Sequence, residues 1–196
     1  MGFFSLILGY LLGSIPSGWL AGRWLKGIDL RELGSGSTGA TNVLRQVGKG
    51  PALVVFLIDV GKGAAAVLLA RAFGQSDWIQ VLAGLTALAG HIWPVWLNFK
   101  GGKAVATGFG MFLGLAWPVG LASFGVFLLT LWLFRIVSLS SVLAAVSLPL
   151  LMIRFSGIGS YILIALVAMG LVLWRHRSNI ERLIAGTEPR IGQKAR

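Results

Sequence analysis

Long apolar stretches alternate along this chain with short polar ones. Apolar residues dominate near positions 3–25, 52–73, 78–97, 104–118, 119–134, 137–154 and 158–174. Crossing a bilayer core takes ~20 apolar residues, so each stretch reads as a helix bound for hydrocarbon. The first three reach that length, while the later ones are shorter and weakly separated. The pattern predicts an all-α polytopic membrane protein with about seven transmembrane helices, five or six full crossings being also compatible. Trp117-Pro118 marks the break between the fourth and fifth stretches, and Ser156-Gly157-Ile158-Gly159 the break between the sixth and seventh. No internal repeat, low-complexity tract or long linker interrupts the series, so residues 1–196 are read as a single transmembrane domain. The apolar N-terminus lacks a basic stretch ahead of it and a small-residue cleavage site, and reads as a retained span.

Composition agrees with this reading: 56% of the 196 residues are hydrophobic, and the mean hydropathy is +0.84. A balance of 17 basic against 6 acidic residues, net +11, would on a soluble protein suggest nucleic acid. Here the basic residues fill the gaps between apolar runs, where they set orientation instead, and nucleic acid is not expected as a partner. With seven crossings, Arg23, Lys26, Arg31, Arg45, Lys49, Lys100, Lys103, Arg135, Arg175, Arg177, Arg182, Arg190, Lys194 and Arg196 share one side. The other side has only Arg71 and Arg154. The basic side is therefore expected to be cytoplasmic, with the N-terminus outside and the C-terminus inside. Cysteine is absent, which excludes disulfides and thiolate chemistry.

Chemistry concentrates in the polar gaps. The segment Gly90–Ala106, GHIWPVWLNFKGGKAVA, holds His91, Asn98, Lys100, Gly101, Gly102 and Lys103 within membrane-grade surroundings. Ionisable groups this costly to place near lipid usually have a function. The glycines are expected to leave N–H groups facing an oxyanion, with the two ammonium groups as counter-charge, so the loop reads as a phosphate cradle. His91 reads either as a base or phosphate donor, or as an interfacial hydrogen-bonder beside Trp93 and Trp96.

The first polar loop runs Gly34-Ser35-Gly36-Ser37-Thr38-Gly39-Ala40-Thr41-Asn42 and then reaches Arg45. It matches GxGxxG in form, but a dinucleotide fold needs a preceding strand, and the acid at the expected distance, Asp59, lies inside an apolar span. What remains is a glycine- and hydroxyl-rich loop with a guanidinium fork suited to an anion. The bland alternative is a flexible polar connector. Lys62 and Lys103 are followed by Gly63 and Ala104, where a Walker A motif needs Ser or Thr, so nucleotide hydrolysis is not expected. No loop carries a carboxylate cluster for magnesium, and neither a metal nor a cofactor is expected. Ser138, Ser140 and Ser141 follow Arg135 and read as helix caps or as an extension of the anion site. In the tail, His176, Asn179 and Leu183 share a helical face, while Arg190, Lys194 and Arg196 read as contacts to lipid headgroups. Asp59 and Lys62, three residues apart, are expected to pair within the second span, with a part in shaping the site floor as the alternative.

Taken together, these residues suit an enzyme or carrier that handles a phosphorylated small molecule with or beside a lipid. GSGSTGATNVLR, GHIWPVWLNFKGGKAVAT and RHRSNIERLIAGTEPRIG then resemble the three signature segments of the bacterial acyl-phosphate-dependent glycerol-3-phosphate acyltransferases, the PlsY family. They occur in the family's order over nearly the whole chain. One departure is Ser37, where the family often has Asn, and it keeps a hydrogen-bonding side chain.

The resemblance implies a seven-helix enzyme of the bacterial cytoplasmic membrane, with its active site facing the cytoplasm. It implies acyl transfer from acyl-phosphate to the 1-hydroxyl of glycerol-3-phosphate, giving lysophosphatidate and phosphate without acyl-CoA or acyl carrier protein. By motif position it puts Ser35, Arg45, Lys103, Ser141, His176 and Asn179 at the phosphates. Gly34, Gly36, Thr41, Asn42, His91, Asn98, Lys100, Gly101 and Gly102 fall nearby.

An acyl-phosphate is a mixed anhydride that already carries its leaving group, so its transfer needs no metal or covalent intermediate. It needs two anions brought together and an oxyanion stabilised. His176 is a candidate base, although the flanking Arg175 and Arg177 disfavour its protonation and substrate phosphates favour it; a phosphate oxygen is the other acceptor. His176 and Glu181 have the spacing of a His-x4-Asp acyltransferase dyad but the wrong acid, and His91 has Trp96 at that offset. Outside enzymology, the rival is a carrier of a small phosphorylated or lipid-phosphate anion, though carriers usually bind near the midplane and show repeat symmetry.

Overall fold

The computed structural model describes residues 1–193; Lys194 and Arg196, read above as headgroup contacts, lie outside the described residues. Those described form ten α-helices and a 3₁₀ turn in two compact units, Met1–Leu115 and a second that begins at Ala116.

In the first unit, α1 (Gly2–Ser14) and α2 (Ser17–Lys26) are separated by Ile15-Pro16, where proline removes a helical N–H. A short α3 (Ala40–Gln46) precedes the long α4 (Lys49–Ala72). Then come α5 (Asp77–Ile92), the 3₁₀ turn Val95–Leu97, and α6 (Val105–Leu115). In this unit α1 packs against α4 and α5, and α6 lies along α4. Gly63 and Gly110 make the last approach possible: a Cβ on Gly63 would meet the Thr107 carbonyl, and one on Gly110 the Val60 carbonyl. Small residues are how helices approach closely where no water drives them together.

The second unit comprises α7 (Trp117–Phe134), α8 (Val137–Phe155), α9 (Gly159–Arg175) and α10 (Arg177–Ile184). Its helices turn small and polar residues inward. In α7, Val119, Gly120, Ser123 and Thr130 are buried, while Leu128, Leu129, Trp132 and Leu133 are exposed. A soluble helix would do the reverse, and this distribution fits a lipid-facing exterior.

All seven apolar stretches are helical. Five helical segments are long and apolar enough to cross a membrane, and α9 with α10, bent by 64° at His176, makes a sixth. The fourth stretch, 104–118, is the exception, because α6 has only 11 residues. It extends ~16 Å, about half of a hydrocarbon core. The helix begins late because residues 101–104 are held in a non-helical arm, with Ala104 at φ 59°. At its other end the Leu115 carbonyl accepts from Arg71 Nη2 at 3.3 Å. Both expected breaks are present, at Ala116 before Trp117-Pro118 and at Gly157, whose φ is 68°.

Candidate functional site

Asn42 organises the first glycine loop. Its side chain is 1% exposed, and Nδ2 donates to the carbonyls of Leu30, Leu33 and Ser37 at 3.0, 3.0 and 2.9 Å. Its Oδ1 accepts from the Ser35 N–H at 3.3 Å. The loop reverses direction at Gly34 and Gly36, with φ values of 61° and 66° that favour glycine. A Cβ on Gly34 would also run into Asn42 Oδ1. Asn42 is thereby spent on the loop itself. Ser35 and Arg45 are exposed, and Thr41 is half-buried.

Asp29 and Arg31, the latter expected only to set orientation, tie the first loop to the second. Arg31 donates to the Asp29 carboxylate from Nε at 3.0 Å and Nη2 at 2.6 Å, and Nη1 reaches the Leu97 carbonyl at 3.2 Å. Trp19 Nε1 adds a bond to Asp29 Oδ2 at 3.2 Å. The hydrogen-bonded guanidinium holds the Asp29 carboxyl well below the usual carboxylate range.

The second loop differs from the expected cradle. The Gly101 N–H donates to the Ile92 carbonyl at 3.0 Å and the Gly102 N–H to the His91 carbonyl at 3.1 Å. Neither amide is held out for an anion. These positions need glycine for space: a Cβ on Gly101 would strike the His91 carbonyl, and one on Gly102 would strike His91 Nε2. Asn98, Phe99 and Ala104 all adopt left-handed φ values, of 51°, 60° and 59°. Such a concentration of strained non-glycine backbone in one loop is characteristic of functional segments. Asn98 and Lys100 are exposed, and Lys103 is half-buried at the mouth of the arm.

His91 is buried beneath this loop. Its Nδ1 lies 3.2 Å from Thr107 Oγ1 and 3.7 Å from Asp59 Oδ1. The expected ion pair is present, with Lys62 Nζ 2.8 Å from Asp59 Oδ1. Ser17 and Thr107, which complete this cluster, had gone unnoticed in the sequence.

In the second unit, Glu188 is the centre. Its Oε1 accepts from Ser138 Oγ at 2.7 Å and Asn179 Nδ2 at 2.6 Å, and its Oε2 from Arg182 Nε at 2.7 Å. Burial alone would raise the Glu188 pKa, but these donors outweigh it and hold it below the ordinary value. The tail is thus folded back, and the Ile191 N–H also donates to the Arg135 carbonyl at 2.7 Å. None of the three serines caps α8: Ser138 serves Glu188, while Ser140 and Ser141 donate to the carbonyls of Ile136 and Val137, both at 2.9 Å. His176 sits at the bend between α9 and α10, one helical turn before Asn179, and both are buried. Its Nδ1 is 2.8 Å from the Val172 carbonyl, an acceptor, so Nδ1 carries a proton.

The chain as a whole resembles known proteins. Residues 3–186 match the sequence profile of a family described as glycerol-3-phosphate acyltransferase. A glycerol-3-phosphate acyltransferase of Parasynechococcus marenigrum (strain WH8102) is 78% identical over 190 residues, 97% of this chain and 90% of the relative. Among solved structures, the chain resembles crystal structures of PlsY, an integral membrane glycerol 3-phosphate acyltransferase. Its glycerol 3-phosphate form aligns with TM-score 0.93 and 41% identity over 97% of this chain and 96% of that one. Its lysophosphatidic acid form aligns with TM-score 0.89 and 40% identity, over 97% and 95%.

Proposed function

The chain belongs to the glycerol-3-phosphate acyltransferase family, and from that premise we propose that it acylates the 1-hydroxyl of sn-glycerol 3-phosphate using an acyl-phosphate donor. The products are 1-acyl-glycerol 3-phosphate and inorganic phosphate. The protein is a multi-pass integral membrane enzyme. The surplus of basic residues on one set of loops supports a site open to the cytoplasm of a bacterial inner membrane.

The observation that carries the reading is the near-complete alignment with a glycerol 3-phosphate form, 41% identical over 97% of this chain. The local geometry is suited to the chemistry. The knot at Asn42 fixes the loop that presents Ser35, and α3 presents Arg45 outward. In this reading Ser35, Arg45 and Lys103 meet substrate phosphates, with Lys100 and Asn98 at the loop's outer edge. By motif position Ser141, His176 and Asn179 are likewise assigned to phosphate, and within its own unit Asn179 is oriented by Glu188.

The reaction needs little beyond positioning and charge stabilisation. The hydroxyl oxygen attacks the acyl carbonyl carbon, and the tetrahedral oxyanion collapses as the bond from that carbon to the phosphate oxygen breaks. The hydroxyl proton passes to a phosphate oxygen, which leaves as inorganic phosphate. His176, bonded through Nδ1 to Val172, serves in binding in this reading. Fixed cations aimed at developing negative charge lower the barrier without reorganising during the step.

The test is phosphate release by purified protein in detergent. Release that requires both acyl-phosphate and glycerol 3-phosphate supports the reading. No release, with uptake of the anion into reconstituted vesicles, overturns it in favour of a carrier.

A further inference from the structure

The buried polar cluster beneath the second loop has no part in binding or acyl transfer as described above. It draws on four helices and the connection between α1 and α2. Ser17 at the start of α2 donates to Asp59 Oδ1 at 2.7 Å, and Lys62 Nζ reaches the same oxygen at 2.8 Å. Lys62 also donates to the Ile15 carbonyl at 3.1 Å, at the break between α1 and α2. His91, from α5, turns Nδ1 toward Thr107 of α6 and toward Asp59. Exposure is 1% for Asp59, 5% for Lys62, 6% for His91 and 0% for Thr107, so bulk water does not solvate this cluster.

Burying an ion pair inside a membrane span is costly, and an apolar pair of similar volume would usually serve stability as well. The other edge of the imidazole indicates what the cluster accomplishes. Nε2 lies against Gly102 so closely that a methyl group there would overlap it. The Gly102 N–H is bonded to the carbonyl of the same histidine. Lys103 is the next residue, and Ala104 beyond it is held at φ 59°. The position of the ring therefore determines the path of the backbone that delivers Lys103.

We propose that Asp59, Lys62 and Thr107 are positioning residues that act through His91: they fix the imidazole under Gly102, and the imidazole sets where the Lys103 ammonium meets the substrate phosphate. This rests on the acyl-transfer reading for the role of Lys103. It replaces the expectation that His91 touches substrate. Thr107 holds the Nδ1 side, with Asp59 packed behind it at 3.7 Å, and so resists rotation of the ring about its Cβ–Cγ bond. Loss of that grip leaves the fold of the helices intact and blurs the site.

The experiment compares Thr107→Val, which removes the hydroxyl at nearly constant volume, with Thr107→Ser, which retains it. Glycerol 3-phosphate KM, kcat and thermal midpoint are measured in detergent for both. For Thr107→Val we expect KM to rise about tenfold with kcat within about threefold and the midpoint unchanged, the pattern of lost positioning in binding, and Thr107→Ser to restore KM. Unchanged KM in Thr107→Val, or equal losses in both variants, overturns the proposal.

A double-mutant cycle of Gly102→Ala and His91→Ala serves even if the threonine variants express poorly. Contact between ring and glycine predicts a double variant no worse than the poorer single one, whereas fully additive losses overturn the proposal. Wild-type protein assayed alongside separates the two levels. If it releases no phosphate, the acyl-transfer reading falls; if it is active and the variants behave otherwise than expected, only the positioning role falls.

Discussion

Replacing Asn42 with alanine tests whether the first loop is held from within or shaped by its ligand. The substitution removes an amide whose two hydrogens are shared among three carbonyls and whose oxygen accepts from the Ser35 N–H. A net intramolecular hydrogen bond contributes about 1 kcal/mol, and the part-buried carbonyls of Leu33 and Ser37 regain some of that from water while the buried Leu30 carbonyl does not, so the ordered loop should lose about 2–4 kcal/mol. At 1.4 kcal/mol per tenfold, opening of the loop should become about 30- to 700-fold more frequent. Hydrogen–deuterium exchange of substrate-free protein in detergent reads this directly. Amides of 35–39 should exchange faster by that factor while the middle of α4 is unaffected. Glycerol 3-phosphate KM should rise in parallel, because binding then has to draw on a smaller competent population. Unchanged exchange in the substrate-free variant would refute the reasoning even if activity fell, since a residue acting only as a ligand contact leaves the empty loop undisturbed.

Three further outcomes are expected. Arg45→Ala and Lys103→Ala should each lower kcat/KM for glycerol 3-phosphate by about 10- to 150-fold, from the loss of a charge-assisted bond of about 1.5–3 kcal/mol, as read by phosphate release. His176→Gln should keep kcat within about threefold and raise KM, whereas a loss in kcat of about a hundredfold or more would assign the proton to the histidine. Because the folded pKa of Glu188 lies below its unfolded value, docking of the tail should be at full strength above the ordinary carboxylate range and weaken as pH falls through that range toward the folded pKa. Thermal midpoints followed from neutral pH into acid should show this loss in wild type, and Glu188→Gln should flatten it.

Local pattern accounts for what the sequence revealed and tertiary contact for what it hid. Helices and breaks were readable because apolar length, Trp117-Pro118 and Gly157 act within a few residues of themselves. The shortness of α6 was not, because the arm before it owes its shape to packing on His91, an element away in the chain. The residues of the glycine motif were found but the physics assigned to them was mistaken: Gly101 and Gly102 supply room rather than free amides. Of the organising acids only Asp59 was legible, through its spacing from Lys62; Asp29 and Glu188 were not. Asp29, Asp59 and Glu188 are three of only six carboxylates in the chain, and each gathers partners from separate segments. A lone acid in a basic, apolar chain has no periodicity to betray it. Its rarity was the available signal.

The glycine seam between α4 and α6 carries a consequence for how this chain tolerates change. Exchanging Leu128 or Leu129 for another large aliphatic residue alters only what the lipid sees, whereas a single added methyl at Gly63 or Gly110 must push two backbones apart. The positions that look least informative by chemistry are the least replaceable, and drift among descendants of this sequence should accumulate on its bulky outer coat before it touches its smallest residues.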